Sequence, residues 1–501
     1  MSLNRTLVRG RDLARTAGDH AADLLGPLLV VGRGLLRHAA WLRAWWQGTP
    51  KDRRGPAALL VAAVLAAIAV LPYGVPLAAA GLLAAAAWAG RDRTPAAASP
   101  DPAHLRLQAV YAALTPYLSH PDDPRPLYTH DGDYKAVFTG WEFDGEGRLA
   151  VLELGYPAYF PDSEATARAR VEQVLQGKAG RDREYRFEWA EETNRLRVEA
   201  LAPLPADIVV QRFVAGPGEL VLGFTDTDGS NRTIPLDLGG SPAQRPPVLW
   251  RTGARTADAH LLVLGTPRAG ASTLLRAIAL QALPSGDVLV VDGAGSGEHG
   301  CLVGRPGVRT VETSLHGALA ALEWAANETG RRLAAVERAR QFRDPAPLSP
   351  RPLWLLLDHL SELSELARAE DRPDPQELLE RPLRQGRSVR VCVVLAEHLD
   401  ALDRVRPAVR AAARGRVVLG TPTPEQAAAA LGAPLDLTPP VRVPPGRGYA
   451  RLGGTAPVRL QVPAAPDPLD EDAPAQQRDA VTALLPHPAL TLTKRPTHPG
   501  R

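Results

Sequence analysis

Five short runs of leucine and valine recur along the middle of the chain: AHLLVLG (259–265), DVLVVDG (287–293), PLWLLLDHL (352–360), VRVCVVLAE (389–397) and GRVVLG (415–420). A strand with one wet face alternates apolar and polar positions, whereas a run that is apolar throughout is covered on both faces, as in a parallel sheet with helices above and below. The intervening segments supply those helices, so the pattern predicts an α/β domain over residues 216–463.

Upstream the pattern changes. RLAVLELGYP (148–157) and REYRFEWAEETNRLRVEALAPLP (183–205) read as strands, with SEATARARVEQVLQG (163–177) as the helix between them. This predicts a small α+β domain over 105–215, with Trp141 and Trp189 in its core, preceded by a Pro/Ala linker at 91–104. Residues 464–501 are Pro-rich and polar and read as a flexible tail with at most one short helix.

Nearer the start, no charged residue occurs between Arg54 and Arg91. That gap of roughly 36 positions is too long for one membrane span and enough for two short ones. PAALLVAAVLAAIAVL (56–71), the breakers PYGVP (72–76) and LAAAGLLAAAAWAG (77–90) predict a two-helix membrane hairpin over 55–90. Lys51, Arg53, Arg54, Arg91 and Arg93 flank it, which puts both termini and the α/β domain on the cytoplasmic side of the cell membrane. A soluble Ala-rich helical hairpin is the alternative. Residues 1–50 are basic and Trp-rich; Trp41, Trp45 and Trp46 suit a segment lying in the membrane interface, or equally a helix packed on the cytoplasmic part. No signal peptide is visible.

The 501 residues suffice for several domains, and a formal charge of +3 does not by itself announce a nucleic-acid binder. The only cysteines, Cys301 and Cys392, lie far apart, so neither a disulfide framework nor a zinc site is indicated.

The chemistry centres on HLLVLGTPRAGASTLLRAIALQAL (260–283), a strand, a glycine loop and a helix, as in a phosphate-binding loop. Such a loop reads G-x-x-x-x-G-K-[ST], with backbone amides around the phosphates, a lysine on the β/γ oxygens and a hydroxyl on magnesium. Here Gly265 and Gly270 are followed by Ala271, Ser272 and Thr273, so the lysine is absent. Asp358, ending LWLLLD, stands where the metal-shell carboxylate belongs, but His359 follows it where a glutamate usually polarises the attacking water. Loss of the cation leaves phosphate charge uncompensated, and loss of the acid removes the base, each costing orders of magnitude in rate. Arg268, inside the loop, is the one residue there that could replace the lysine.

The order HLLVLGTPRAGAST, VLVVDGAG, NETGRRL, LWLLLDHLSEL, GRSVRVCVVLAEHL and PGRGYARL resembles the motor domain of FtsK/SpoIIIE-type DNA translocases, including plasmid-transfer proteins of mycelial bacteria, over roughly 260–462. The resemblance implies a RecA-like P-loop fold, ATP and magnesium as cofactors, ring-shaped oligomers and DNA as cargo; a membrane hairpin suits the same family. It also locates the departures. The family's Asp-Pro-Lys becomes Asp292, Gly293 and Ala294, its Asp-Glu becomes Asp358 and His359, and its Ala-Thr-Gln becomes Ala396, Glu397 and His398. Glu328, Arg331, Arg332, Gly386, Arg387, Gly446, Arg447 and Gly448 are retained. No counterpart of the family's DNA-reading winged-helix domain follows Val462.

Three readings follow. The first is a membrane-anchored pseudo-ATPase, a homo- or hetero-oligomeric ring or scaffold component beside an active paralogue in DNA transfer. The second is an active DNA translocase with a deviant loop; the third is a component of a protein-secretion ATPase assembly. Arg404, Arg410 and Arg414, with Arg406 and Arg416, are candidate contacts to the backbone of double-stranded DNA, or else a solvated arginine face.

Overall fold

A computed structural model describes residues 101–488, apart from 181, 227–230, 343–349, 436, 439 and 441, together with scattered positions in the first hundred. Residues 1–102 form a unit of their own, whose described positions before residue 101, such as Leu36, Val61 and Leu83, are helical and exposed. The predicted membrane hairpin and the segment before it lie mostly outside the described residues. Among the described residues no helix is long and apolar enough to cross a membrane.

The second unit begins with helix α1 (Pro102–Leu118), strands β1 (Phe138–Phe143) and β2 (Leu149–Gly155), helix α2 (Ala165–Ala179) and strands β3 (Tyr185–Ala190) and β4 (Arg195–Ala200). Then come β5 (Glu219–Phe224), the hairpin β6 (Ile234–Leu238) and β7 (Ser241–Arg245), and β8 (Pro247–Arg251). The predicted α/β region follows as β9 (Leu261–Gly265), α3 (Ala271–Ala282), β10 (Asp287–Asp292), β11 (Val308–Glu312), α4 (Leu315–Gln341), β12 (Leu353–Asp358), α5 (Leu360–Ala369), α6 (Glu380–Gln385) and β13 (Val391–His398). It closes with α7 (Pro407–Ala412), β14 (Gly415–Leu419), α8 (Pro424–Leu431), β15 (Leu437–Thr438), β16 (Arg447–Arg451), β17 (Val458–Gln461) and α9 (Ala475–Leu484).

The small sheet runs β1-β2-β4-β3-β15 and is antiparallel throughout. Helices α1 and α2 share its core through Leu107, Val110 and Leu114, and Val171 and Leu175. Trp189 stacks on Phe160 at 5.6 Å, but Trp141 is 38% exposed, so only one of the two predicted core tryptophans is mostly covered.

The large sheet has the order β11-β10-β12-β13-β9-β14-β16-β17-β5-β8. Its first six strands are parallel, the remaining pairings antiparallel. The five apolar runs are strands β9, β10, β12, β13 and β14, arranged β10-β12-β13-β9-β14, as a RecA-like P-loop domain requires. In β9, Leu261 and Val263 pack toward α3 and α9, while Leu262 and Leu264 pack toward α4 and α5. Both alternating sets are apolar because both faces are covered, each buried side chain contributing about 1.5–3 kcal/mol. Parallel strands connect only by crossovers, and these align the carboxyl ends of β9, β10, β12, β13 and β14 along one edge. Ligands in open α/β sheets bind outside that edge.

Two features depart from the sequence pattern. Helix α1 starts within the stretch read as linker. Within the predicted tail, α9 lies on the core, with Val481 and Leu485 buried and the Arg305 guanidinium donating to the Pro486 carbonyl at 2.9 Å.

Candidate functional site

At the end of β9 the chain turns through Thr266 to Gly270 into α3. Arg268 (φ 63°) and Gly270 (φ 99°) both take the left-handed conformation. That conformation is ordinary for glycine and costly for arginine. The loop is tied at both ends: Thr266 N–H donates to Leu419 O (3.1 Å), and Gly446 N–H donates to Ala269 O (2.9 Å). A Cβ on Gly270 would lie 3.2 Å from the Gly446 nitrogen, so the retained glycine permits this approach. Arg268 is exposed, while Ala271, Ser272 and Thr273 are half-buried at the first turn of α3, whose N-terminus favours an anion.

Register places Asp292 opposite Asp358, Asp358 opposite Ala396, and His398 opposite Gly265. The predicted positions therefore converge. Asp292 turns the following loop back on itself, accepting from Gly297 N–H at 2.8 Å and Ser296 Oγ at 3.2 Å. Gly293, which stands in place of the family's proline, lies where a Cβ would come within 2.2 Å of His359 O; a side chain there would clash with backbone.

That loop delivers a residue the sequence reasoning did not single out. His299, almost fully buried, donates from Nε2 to Asp358 Oδ2 at 2.9 Å. His359 Nε2 is 3.6 Å from Asp358 Oδ1, so two imidazoles bracket the carboxylate. Burial pushes the Asp358 carboxyl up, but the His299 hydrogen bond, the two histidines and the Ser272 hydroxyl outweigh it and leave the group below the usual carboxylate range. The only sequence signal for His299 was its place shortly after a strand end, which many loop histidines share.

His359 adopts φ 51°, and its ring lies 4.3 Å from that of His398. The two imidazoles therefore face each other with their planes tilted by 34°. Neither position carries a carboxylate for a water. The nearby acid, Glu397, points the other way, accepting from Ser361 N–H (2.8 Å) and Ser361 Oγ (2.6 Å) and so capping α5. Burial pushes its carboxyl up to about 7.

Among the described residues, no group of three His, Cys, Asp or Glu side chains is arranged to hold a metal. For a magnesium–nucleotide complex, Asp358 Oδ1 is a buried acceptor without a hydrogen-bond partner, and the Ser272 and Thr273 hydroxyls stand at the loop. The metal side of the site fits. The phosphate side does not, because position 271 offers no cation.

The retained Glu328, Arg331 and Arg332 belong to the scaffold. Arg332 donates to Glu328 (2.7 Å) and to the carbonyls of Arg351 (2.8 Å) and Val389 (3.3 Å), which precede β12 and β13. This lies at the opposite end of the strands from the loop. Of the arginine cluster, Arg404 pairs with Glu365 (3.1 Å), Arg410 with Asp403 (3.7 Å) and Arg406 with Asp374 and Glu377, while Arg414 is exposed. Pairing with acids weakens the positive field this face presents. Both cysteines are buried and free, and burial pushes the Cys392 thiol up to about 12.

No protein-family model and no curated protein matches the chain. Among solved structures, it is similar to the pCW3 conjugation coupling protein TcpA in a monomer form with ATPgS: 16% identity, 72% of this chain, 95% of that chain, TM-score 0.42. It is also similar to the cytoplasmic domain of the Thermomonospora curvata type VII secretion ATPase EccC (22% identity, 57% of this chain, 32% of that chain, TM-score 0.38). EssC (ATPases 2 and 3) from Geobacillus thermodenitrificans gives 14% identity, 57% of this chain, 52% of that chain and TM-score 0.41. The chain thus spans about a third of the EccC structure and half of the EssC structure.

Proposed function

We propose that this chain is an FtsK/SpoIIIE-like P-loop protein of a DNA-translocation or DNA-transfer assembly, held at the cell membrane by residues 55–90 and acting as a ring or scaffold component with impaired hydrolysis. The observation that carries the reading is the state of the site. The P-loop geometry persists, yet position 271 is alanine, His299 and His359 bracket Asp358, and Glu397 is committed to a helix cap. A phosphate held there would lack its cation and the attacking water its base. The order of retained motifs supports the translocase family over a generic P-loop scaffold. Double-stranded DNA, contacted without sequence preference, and other copies or an active paralogue are the partners this reading implies.

Arg268 favours a second reading. It is exposed within the loop, and a guanidinium there could take the lysine's part in an active translocase. The test is binding of a fluorescent ATP analogue with magnesium to the full chain, to Arg268→Ala and to Ala271→Lys. Absence of binding until Ala271→Lys restores it supports the pseudo-ATPase reading. Saturable binding by the unaltered chain that Arg268→Ala abolishes overturns it, and DNA-stimulated hydrolysis becomes the measurement.

A further inference from the structure

Among the described residues, the small sheet has one edge that is unpaired over about half its length. Strand β15 pairs with β3 only at Tyr185 and Arg186; among the described residues, nothing pairs with Phe187–Ala190 on that side. Pro434 and Leu435, next to β15, instead line a cavity of about 970 Å³ together with Phe187, Glu188 and Trp189. This is near the upper end of the volume range of ligand clefts. Residues of α2 and of α8 and β17 also line it. The unpaired N–H and C=O groups of an edge strand are a template for one more strand, and a groove beside them receives its side chains.

The groove's charge selects among peptides. Its lining carries five carboxylates (Glu172, Glu188, Glu191, Asp226, Glu425) against three guanidiniums (Arg168, Arg186, Arg459). Arg459 is held by Glu184 and Asp226, and Arg168 by Glu191. Glu188 and Glu425 are exposed and have no cation partner among the described residues. An extended segment with alternating apolar positions and a basic end fits such a groove.

The chain contains one. Ala489–Arg495, outside the described residues, reads ALTLTKR, alternating leucine and threonine before two cations. The tether at Pro486 puts the groove of its own copy beyond the reach of the segment's first leucine. Pro486 is fastened to Arg305, in the loop between β10 and β11, and β17 at the groove lies six strands away from β10. Six steps of about 4.8 Å make about 29 Å, whereas the four residues from Pro486 to Leu490 span at most about 14 Å. We propose that Ala489–Arg495 of one copy adds as a strand to the open edge of β3 in another copy, linking neighbouring chains. The inference is independent of the nucleotide site.

The test uses the full chain in detergent, with its mass measured by light scattering, and a fluorescent ALTLTKR peptide. Leu492→Pro removes a ladder donor from the arm, and Glu188→Lys with Glu425→Lys reverses the groove's charge; thermal melts confirm that each variant folds. The expected result is a lower mass for both variants. The peptide should bind the Leu492→Pro chain saturably, and about tenfold more weakly when the two lysines are added. A scrambled peptide should not bind. Unchanged mass in Leu492→Pro, or peptide binding that ignores the groove charges, overturns the proposal and leaves the groove to a different occupant.

Discussion

His299 and Asp358, 59 residues apart in sequence, meet across 2.9 Å in a site where both side chains are almost fully buried. The imidazole satisfies a carboxylate oxygen that would otherwise sit in low dielectric without a donor. His299→Ala should therefore destabilise the fold by about 1–3 kcal/mol, the cost of an unsatisfied buried group. His299→Gln, which returns a donor, should recover part of it. Urea denaturation checks both; an unchanged midpoint for His299→Ala would mean that water substitutes for the ring.

Glu397 gives the fold a pH dependence. Its folded carboxyl titrates well above the ordinary glutamate value because burial disfavours the charge. Folding then takes up a proton, so the group's contribution is full below the unfolded value of 4.5 and is lost as pH rises through about 7. Glu397→Gln keeps an acceptor for Ser361 N–H without the charge. It should flatten the slope of stability against pH across that interval and be the more stable protein at pH 8.

The two sheets are joined through charge. Glu184, beside β3, and Arg459, on β17, are 3% and 2% exposed and form an ion pair, while Arg447 donates to Leu204 O at 2.6 Å. Removing Glu184 leaves Arg459 with Asp226 as its remaining carboxylate, so the loss should stay below the about 3–5 kcal/mol of a fully uncompensated buried charge. Glu184→Gln alone should show that loss, and Glu184→Leu with Arg459→Met should recover much of it. A double-mutant cycle by chemical denaturation decides; additive losses would rule out the coupling.

Gly446 holds the loop through its N–H and has φ 79°. A Cβ there would fall 2.9 Å from Val462 O. Gly446→Ala should cost about 1–3 kcal/mol, read as a lower melting temperature. It should also loosen the Thr266–Gly270 turn, measured as faster amide exchange.

Hydrolysis should require two repairs. Ala271→Lys supplies the phosphate cation, and His359→Glu the missing acid at a position already in the left-handed conformation. Each alone should stay near background. The double variant should exceed either by about a hundredfold or more, the usual worth of a placed base. Steady-state phosphate release with DNA present measures it, and no gain in the double variant would mean that the His299–Asp358 pair also blocks the metal.

Much of this protein was legible along the chain. Runs of leucine and valine without a polar alternate can be buried only with cover on both faces, so β9, β10, β12, β13 and β14 and the loop at Gly265–Gly270 follow from local pattern. The absent lysine at Ala271 and the histidines at 359 and 398 are likewise plain from residue type and position. Local pattern could not show that α9 lies on the core, because its polar, Pro-rich neighbourhood hides a single buried face. Nor could it show that Glu397 caps α5 instead of facing the loop, that His299 reaches Asp358, or that Glu184 meets Arg459. Those contacts depend on strand order and on the path of crossovers and loops, which bring together groups tens to hundreds of residues apart. Periodicity records which face of an element is covered, and only the packed sheet decides what covers it.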